Sequence, residues 1–239
     1  MIYKPRFLGF APDGRRRYAC DYEADLRPVA GGADPESNDQ IDASEDDAYE
    51  REITGAMNLT GGAVWAEDNA SSGARYWGGL RFHNGPFPAK GSTVDVARIS
   101  VYIGSADYDD ANLDIHAEDG AGPATFTTTG GNLTGRTRTT ASTPWVANSI
   151  GTGWHDSPSI VSVIQELVTD YSPTAIVLIL KPKGEATKML DFQAWDCGDP
   201  SAAAKLHLEW TEGGPPVGQP TMRRWGGIPG MVYTGRAGW

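Results

Sequence analysis

The residues of this 239-residue chain that are equipped for chemistry fall in a few short runs. Two of the runs are acidic. "SADYDDANLD" (105–114) brings Asp107, Asp109, Asp110 and Asp114 together, and "DDAYE" (46–50) adds Asp46, Asp47 and Glu50. Clustered loop carboxylates suit calcium, a hard cation that takes six to eight oxygen ligands. The spacing is not that of an EF-hand, which requires Gly at the sixth loop position and Glu at the twelfth. The expected state of both runs is a solvated acidic loop, with a structural calcium ion as the alternative. No other cofactor is expected.

Four histidines, His83, His116, His155 and His207, are the candidates for a general base. Hydrolysis by a side-chain nucleophile needs a nucleophile, a base and an orienting group in contact. None of the four lies in a G-x-S-x-G elbow or an H-E-x-x-H helix. His116 and His207 read as outward strand residues, and His83 and His155 as loop residues. Carboxylate pairs for glycoside hydrolysis have no fixed sequence spacing. In a chain with 31 acidic residues, the existence of some pair carries no weight. No catalytic set is therefore expected. Cys20 and Cys197 show no zinc spacing with the histidines and read as free thiols.

Aromatic rings offer a second chemistry, because exposed rings with polar neighbours make flat platforms for sugars. Trp77, Trp145, Trp154 and Trp195 are the candidates, although core packing is the expected role of each taken singly. Trp154 reads as a lid on the following helix, and Trp195 and Trp210 as inward or edge residues of the last strands. Arg81, Arg136 and Arg138 suit either contact with an acidic partner or balance of the acidic surface.

The charge is unevenly distributed. Residues 1–17 carry +4, residues 213–239 carry +3, and the net charge of -11 therefore leaves -18 on 18–212. The basic ends include Arg15, Arg16 and Arg17 at the start and Arg223 and Arg224 near the finish. The last nineteen residues, "TMRRWGGIPGMVYTGRAGW", have neither helical nor strand period and cannot build a core. Trp225, Ile228, Met231, Tyr233 and Trp239 would be costly to leave in water. Such a segment orders when a partner supplies the apolar surface it lacks. The ends either fold back on their own acidic body or reach neighbouring subunits. Nucleic acid ranks last, because the body repels phosphate.

These groups must be carried by β-structure. The 30 Gly and 16 Pro indicate many turns. Ile99, Val101 and Ile103 alternate with Arg98, Ser100 and Tyr102, and Leu113, Ile115 and Ala117 alternate with Asp114, His116 and Glu118. Leu206, Leu208 and Trp210 alternate with Lys205, His207 and Glu209. Period two marks half-buried strands of a sandwich. "GAVWAE", "YWGGLRF", "TAIVLILK" and "KMLDFQAW" are further strands, and "AIVLIL" is the longest apolar run, well short of the ~18 residues of a membrane span. Residues 18–50 read as an extended acidic loop segment. One helix is predicted near 158–170, from Ile160, Val163, Ile164, Leu167 and Val168. Ser157 is its expected N-cap and Pro158 its first residue. The helix would plug one end of the sandwich and leave Gln165 and Glu166 solvated. The expected fold is all-β: an antiparallel, jelly-roll-like sandwich at 51–212, between an N-terminal arm and linker (1–50) and a C-terminal arm (213–239).

In order along the chain, "DDAYE", "WGGLRFHNGPFPAKGSTVDVARISVYI", "IHAEDGAGPATFTTT", "RTRTTASTPW", "GWHDSPSIVSVIQELV" and "AAAKLHLEW" resemble the disaggregatase-related, DNRLRE-type β-sandwich. The resemblance spans roughly 46–211, and its most specific part is the SP–helix–IQE segment. It implies an accessory or carbohydrate-binding type of module. The N-terminus lacks the apolar core of a secretory signal, so retention in the cell of synthesis is expected. A sandwich between two irregular basic arms suits a bacteriophage virion protein assembled in host cytoplasm, a head decoration, cement or other accessory subunit. Its partners would be other copies of itself and neighbouring virion proteins, with no membrane. The alternatives are a carbohydrate-binding module or host-glycan adhesin and, behind it, a polysaccharide-degrading enzyme.

Overall fold

A computed structural model of the chain describes residues 4–10, 16–21, 34–69, 74–105, 110–183 and 188–213. Strands β1 (Lys4–Phe10) and β2 (Arg16–Asp21) pair with each other in an antiparallel two-stranded sheet. Then come β3 (Glu36–Gln40), β4 (Asp47–Arg51), β5 (Ala56–Asn58), β6 (Ala63–Asn69), β7 (Ala74–Phe82), β8 (Thr93–Ile103) and β9 (Ala111–Ala117). The chain continues through β10 (Thr143–Ala147), β11 (Gly153–Asp156), helix α1 (Val161–Asp170), β12 (Ile176–Pro182), β13 (Lys188–Gln193) and β14 (Lys205–Thr211). The fold is an antiparallel β-sandwich. One sheet runs β10-β9-β12-β7-β4-β5, with β6 joining β7 and β13 joining β6, and the other runs β11-β8-β14-β3.

The alternating strands face each other across the core. Ile99, Val101 and Ile103 of β8 and Leu206, Leu208 and Trp210 of β14 share one apolar cluster with Leu113, Ile115 and Ala117 of β9. Leu178 and Leu180 of β12 and Leu80 and Phe82 of β7 complete it. Helix α1 buries Val163, Ile164, Leu167 and Val168 in the same cluster. Its spacing gives one apolar stripe, and that stripe rests on β8 and β9, one from each sheet.

β12 does not alternate, because both of its faces are covered. Ile176, Leu178 and Leu180 enter the main core, while Val177 and Ile179 enter a second cluster with Ala48, Leu59, Trp77, Phe126 and Leu133. The cover is the long excursion between β9 and β10, which lies over the outer face of the larger sheet. Gly79 makes the close approach feasible: a Cβ there would stand 2.6 Å from the Phe126 ring.

Several expectations need correction. The acidic stretch expected as loop contains β3 and β4, so sheet membership begins well before residue 51. Hydrophobic period fails there because, apart from Ala48, the buried positions are polar: Ser37, Asp39, Asp47 and Glu50. Residues 4–10 and 16–21 of the expected irregular arm pair as strands. Helix α1 starts at Val161 with Ile160 at its N-cap and no side-chain cap. Ser157 instead accepts a hydrogen bond from Ile99 N and donates to Pro158 O, so it joins the pre-helix turn to β8. Gln165 and Glu166 are not merely solvated. Gln165 donates to Ser92 O and accepts from Val94 N, which secures the start of β8. Glu166 accepts from Thr140 N and Ala141 N, which secures the end of the excursion.

Ile164 is fully buried between the sheets. Replacing it with Asp is expected to lower unfolding free energy by about 3–5 kcal/mol, because the charge finds no partner there. Urea denaturation checks this; a loss below about 1 kcal/mol would place the helix outside the cooperative core.

Candidate functional site

One group of the candidate residues, Asp46, Asp47, Glu50, Arg81 and His83, gathers around β4. The β4–β7 register pairs Asp47 with Leu80 and Tyr49 with Gly78. Arg81 N donates to Asp46 O at 2.7 Å, which brings the end of β7 alongside the entry to β4. Each polar side chain of "DDAYE" then meets a different partner, because successive residues of a strand point to opposite faces.

Asp46 is buried. Its Oδ1 accepts from Arg81 Nη1 at 2.7 Å, and its Oδ2 lies 2.8 Å from His83 Nε2. Asp47 faces the other way and accepts from Trp195 N at 2.7 Å. Burial pushes its carboxyl up to about 7, with smaller contributions from Asp196 and Asp46 and against the lowering effect of the Trp195 hydrogen bond. Tyr49 stacks on Trp65 at 4.7 Å between ring centroids, and Tyr76 meets both rings edge-on. Asn58 Nδ2 donates to the Tyr49 hydroxyl. Asp191 is raised by burial and held back by its Trp65 hydrogen bond. This half-buried aromatic clasp fastens the β6–β13 ribbon to β4 and β7. Glu50 is fully buried on the outer face, where it accepts from Leu133 N, Thr134 N and Thr134 Oγ1.

Asp46, Asp47 and Glu50 therefore do not converge on one ion. Asp110 accepts from Ser149 N, and Asp114 pairs with Lys183 at 3.1 Å. Asp107 and Asp109 lie outside the described residues. Among the described residues, one group of metal-ligating side chains does come together: Asp42, Asp46 and His83. Sequence spacing gives no sign of it, because the histidine stands 37 positions beyond Asp46 and arrives only through strand pairing.

The candidate aromatic platforms separate cleanly. Trp145 is buried in the main core, and Trp77 in the second cluster under Arg138, with Lys181 also near its ring. Trp195 starts a short 3-10 turn and packs against the core edge. Trp154 is no helix lid: it is 41% exposed on β11, on the outer face of the four-stranded sheet. Tyr102 meets it edge-on at 5.6 Å, and Lys205 Nζ lies 4.1 Å from its ring centre. Ser100, Asp156, Arg98 and His207 continue this face through the registers of β11, β8 and β14.

The interior arginines serve the fold. Arg136 pairs with Glu118, donates to Ala124 O and Thr125 O, and lies 4.6 Å from the Phe126 ring centre. His116 sits under the excursion, where burial lowers its pKa, and its Nδ1 lies 3.2 Å from Thr139 O. His207 contacts Asn38 and Glu209. Cys197 is a free thiol that donates to Asp199 O. Only the backbone of Arg16, Arg17 and Cys20 is described, as part of β2. Arg15, Arg223, Arg224, Trp225, Ile228, Met231, Tyr233 and Trp239 lie outside the described residues. Compared with known proteins, the chain matches no family model and no curated protein sequence.

The raised Asp47 gives a pH signature. The folded state holds its proton more tightly than the unfolded chain, whose value is near 3.8. The cost of the charge is thus absent at pH 4, grows as pH rises to about 7, and is fully present above. Asp47→Asn keeps an oxygen for Trp195 N. It is expected to match the wild type at pH 4 and to exceed it at pH 8 by on the order of 3 kcal/mol. Denaturation in metal-free buffer at the two pH values measures this; an equal difference at both would contradict it.

Proposed function

We propose that the chain is an accessory structural subunit of a bacteriophage virion, a β-sandwich held on its particle by its two basic terminal segments. The observation that carries this reading is the division of charge: +4 and +3 at the ends against -18 between them. Arg81, Arg136 and Arg138 are engaged by the sandwich and its covering excursion, so this reading does not draw on them as contacts to an acidic partner. The terminal arginines are left for that task. In this reading Trp225, Ile228, Met231, Tyr233 and Trp239 of the C-terminal segment are the apolar anchors. The resemblance to the DNRLRE-type sandwich supplies a precedent for an accessory module.

A chain truncated after Glu212 keeps β14 and is expected to fold with an unchanged melting temperature. It should fail to join particles when expressed with the virion genes. Burying one such ring on a partner would contribute about 2 kcal/mol, so Ala at Trp225, Tyr233 and Trp239 together should reproduce the defect. Normal incorporation of either variant, measured in purified particles, would refute the reading.

One observation favours a second reading, in which the sandwich binds host-surface glycan. The half-exposed Trp154, with Tyr102 and Lys205 beside it, presents an aromatic surface on an otherwise polar sheet face. Rings of this kind stack on sugars while neighbouring polar groups hold the hydroxyls. Trp154→Ala is expected to abolish retention on a glycan array and to change stability by less than about 0.5 kcal/mol. Retention by the variant equal to wild type would remove this reading.

A further inference from the structure

We propose a binding site for a divalent transition-metal ion of the zinc class, formed by Asp42, Asp46 and His83. The site does not depend on the virion reading. Asp42 lies between β3 and β4, Asp46 directly precedes β4, and His83 directly follows β7. Their ligand atoms all lie within 4.8 Å of one another. His83 Nε2 stands 3.2 Å from Asp42 Oδ1 and 2.8 Å from Asp46 Oδ2. Metal–ligand bonds of about 2.0–2.2 Å in a tetrahedral site give ligand–ligand edges of roughly 3.3–3.6 Å, so the ring nitrogen stands within a few tenths of an ångström of coordination spacing from each carboxylate oxygen.

The remaining oxygens show which atoms face the centre. Asp42 Oδ2 accepts from Asn84 Nδ2 at 2.7 Å, and Asp46 Oδ1 accepts from Arg81 Nη1 at 2.7 Å. Thr125 Oγ1 also donates to Asp46 Oδ1. Each carboxylate thus has its outer oxygen tied by a side chain that is not itself a ligand, and its inner oxygen turned to the same ring nitrogen. Outer donors of this kind orient ligands in metal sites. Without an ion, Nε2 has at most one proton to offer two carboxylate oxygens. With an ion, all three lone pairs are used and the imidazole is neutral.

Composition and access fit the same class. One imidazole with two carboxylates suits zinc and its first-row neighbours, whereas calcium takes six or more oxygens. Asp46 is 4% exposed at its side chain, but His83 and Asp42 are 31% and 48% exposed. An ion can therefore enter without opening the core, and water fills the remaining coordination positions. Arg81 offsets one carboxylate charge and weakens the site's pull on any cation, so binding there must rest on coordinate bonds rather than on charge alone.

The test uses the full chain, stripped with chelator and titrated with Zn2+ by calorimetry, with Co2+ as a visible-absorption probe. One equivalent is expected to bind, to raise the melting temperature and to give the intense d–d bands of low-coordinate cobalt. Ca2+ at the same concentrations should produce neither effect. Asp42→Asn and His83→Gln, both at solvent-reaching positions, should keep the metal-free melting temperature and weaken Zn2+ binding at least tenfold. Absence of saturable binding to the wild type would overturn the proposal. So would unchanged affinity in both variants, or binding of Ca2+ in preference to Zn2+.

Discussion

The carboxylate of Glu50 is fully buried on the outer face of the larger sheet, where an acidic group is tolerated only with several donors. It has three, and all come from Leu133 and Thr134 in the middle of the β9–β10 excursion. This contact fixes where the excursion lies. Leu133 and Phe126 then cover Val177, Ile179 and Ala48, and the central strand β12 becomes buried on both faces. Arg136 holds the excursion to itself, and Glu166 of α1 holds its last turn. The sandwich thus has two apolar layers: one between the sheets, and a thinner one between a sheet and a loop.

Legibility in the sequence follows directly from that arrangement. Strands with one face in the core announce themselves by period two, as β8, β9 and β14 do. The run Ala175–Leu180 loses the period because the excursion covers its second face, and its apolar length alone marks it as buried. β3 and β4 show no apolar period because, Ala48 apart, their buried side chains are Ser37, Asp39, Asp47 and Glu50. Apolar period passes over such positions, and Asp39, Asp47 and Glu50 are instead held by hydrogen bonds from Asn84 N, Trp195 N and the Leu133–Thr134 backbone. Ser157 stands at the right distance from the helix for a cap, but β8 offers it the Ile99 N–H. A choice between two donors is not written in local spacing.

The same reasoning explains what is visible of the candidate sites. The acidic run at 46–50 has the look of a common ion site, yet strand alternation sends Asp47 and Glu50 to opposite sides. Asp46 finds its histidine through the β4–β7 register rather than through proximity in the chain. Trp154 and Trp77 are equivalent as sequence symbols. One stands at the open face of a short strand beside Tyr102, and the other lies under Arg138 within the covered layer. Burial separates them, and burial is a property of the whole fold.

The position of β14 has a consequence for synthesis of the chain. β14 lies between β8 and β3, and among the described residues β3 has no other partner in its sheet. The strand at 36–40 therefore waits for residues 205–211 before it can pair. At about 5–20 residues per second, that delay on a ribosome is roughly 8–35 s. Once β8 is made, its eleven residues present an open edge for the last roughly 5–22 s of that interval, and such an edge would template pairing with another chain. The nascent protein thus carries an unpaired edge through nearly half of its synthesis, and a holding chaperone would act in the interval before the last strand arrives.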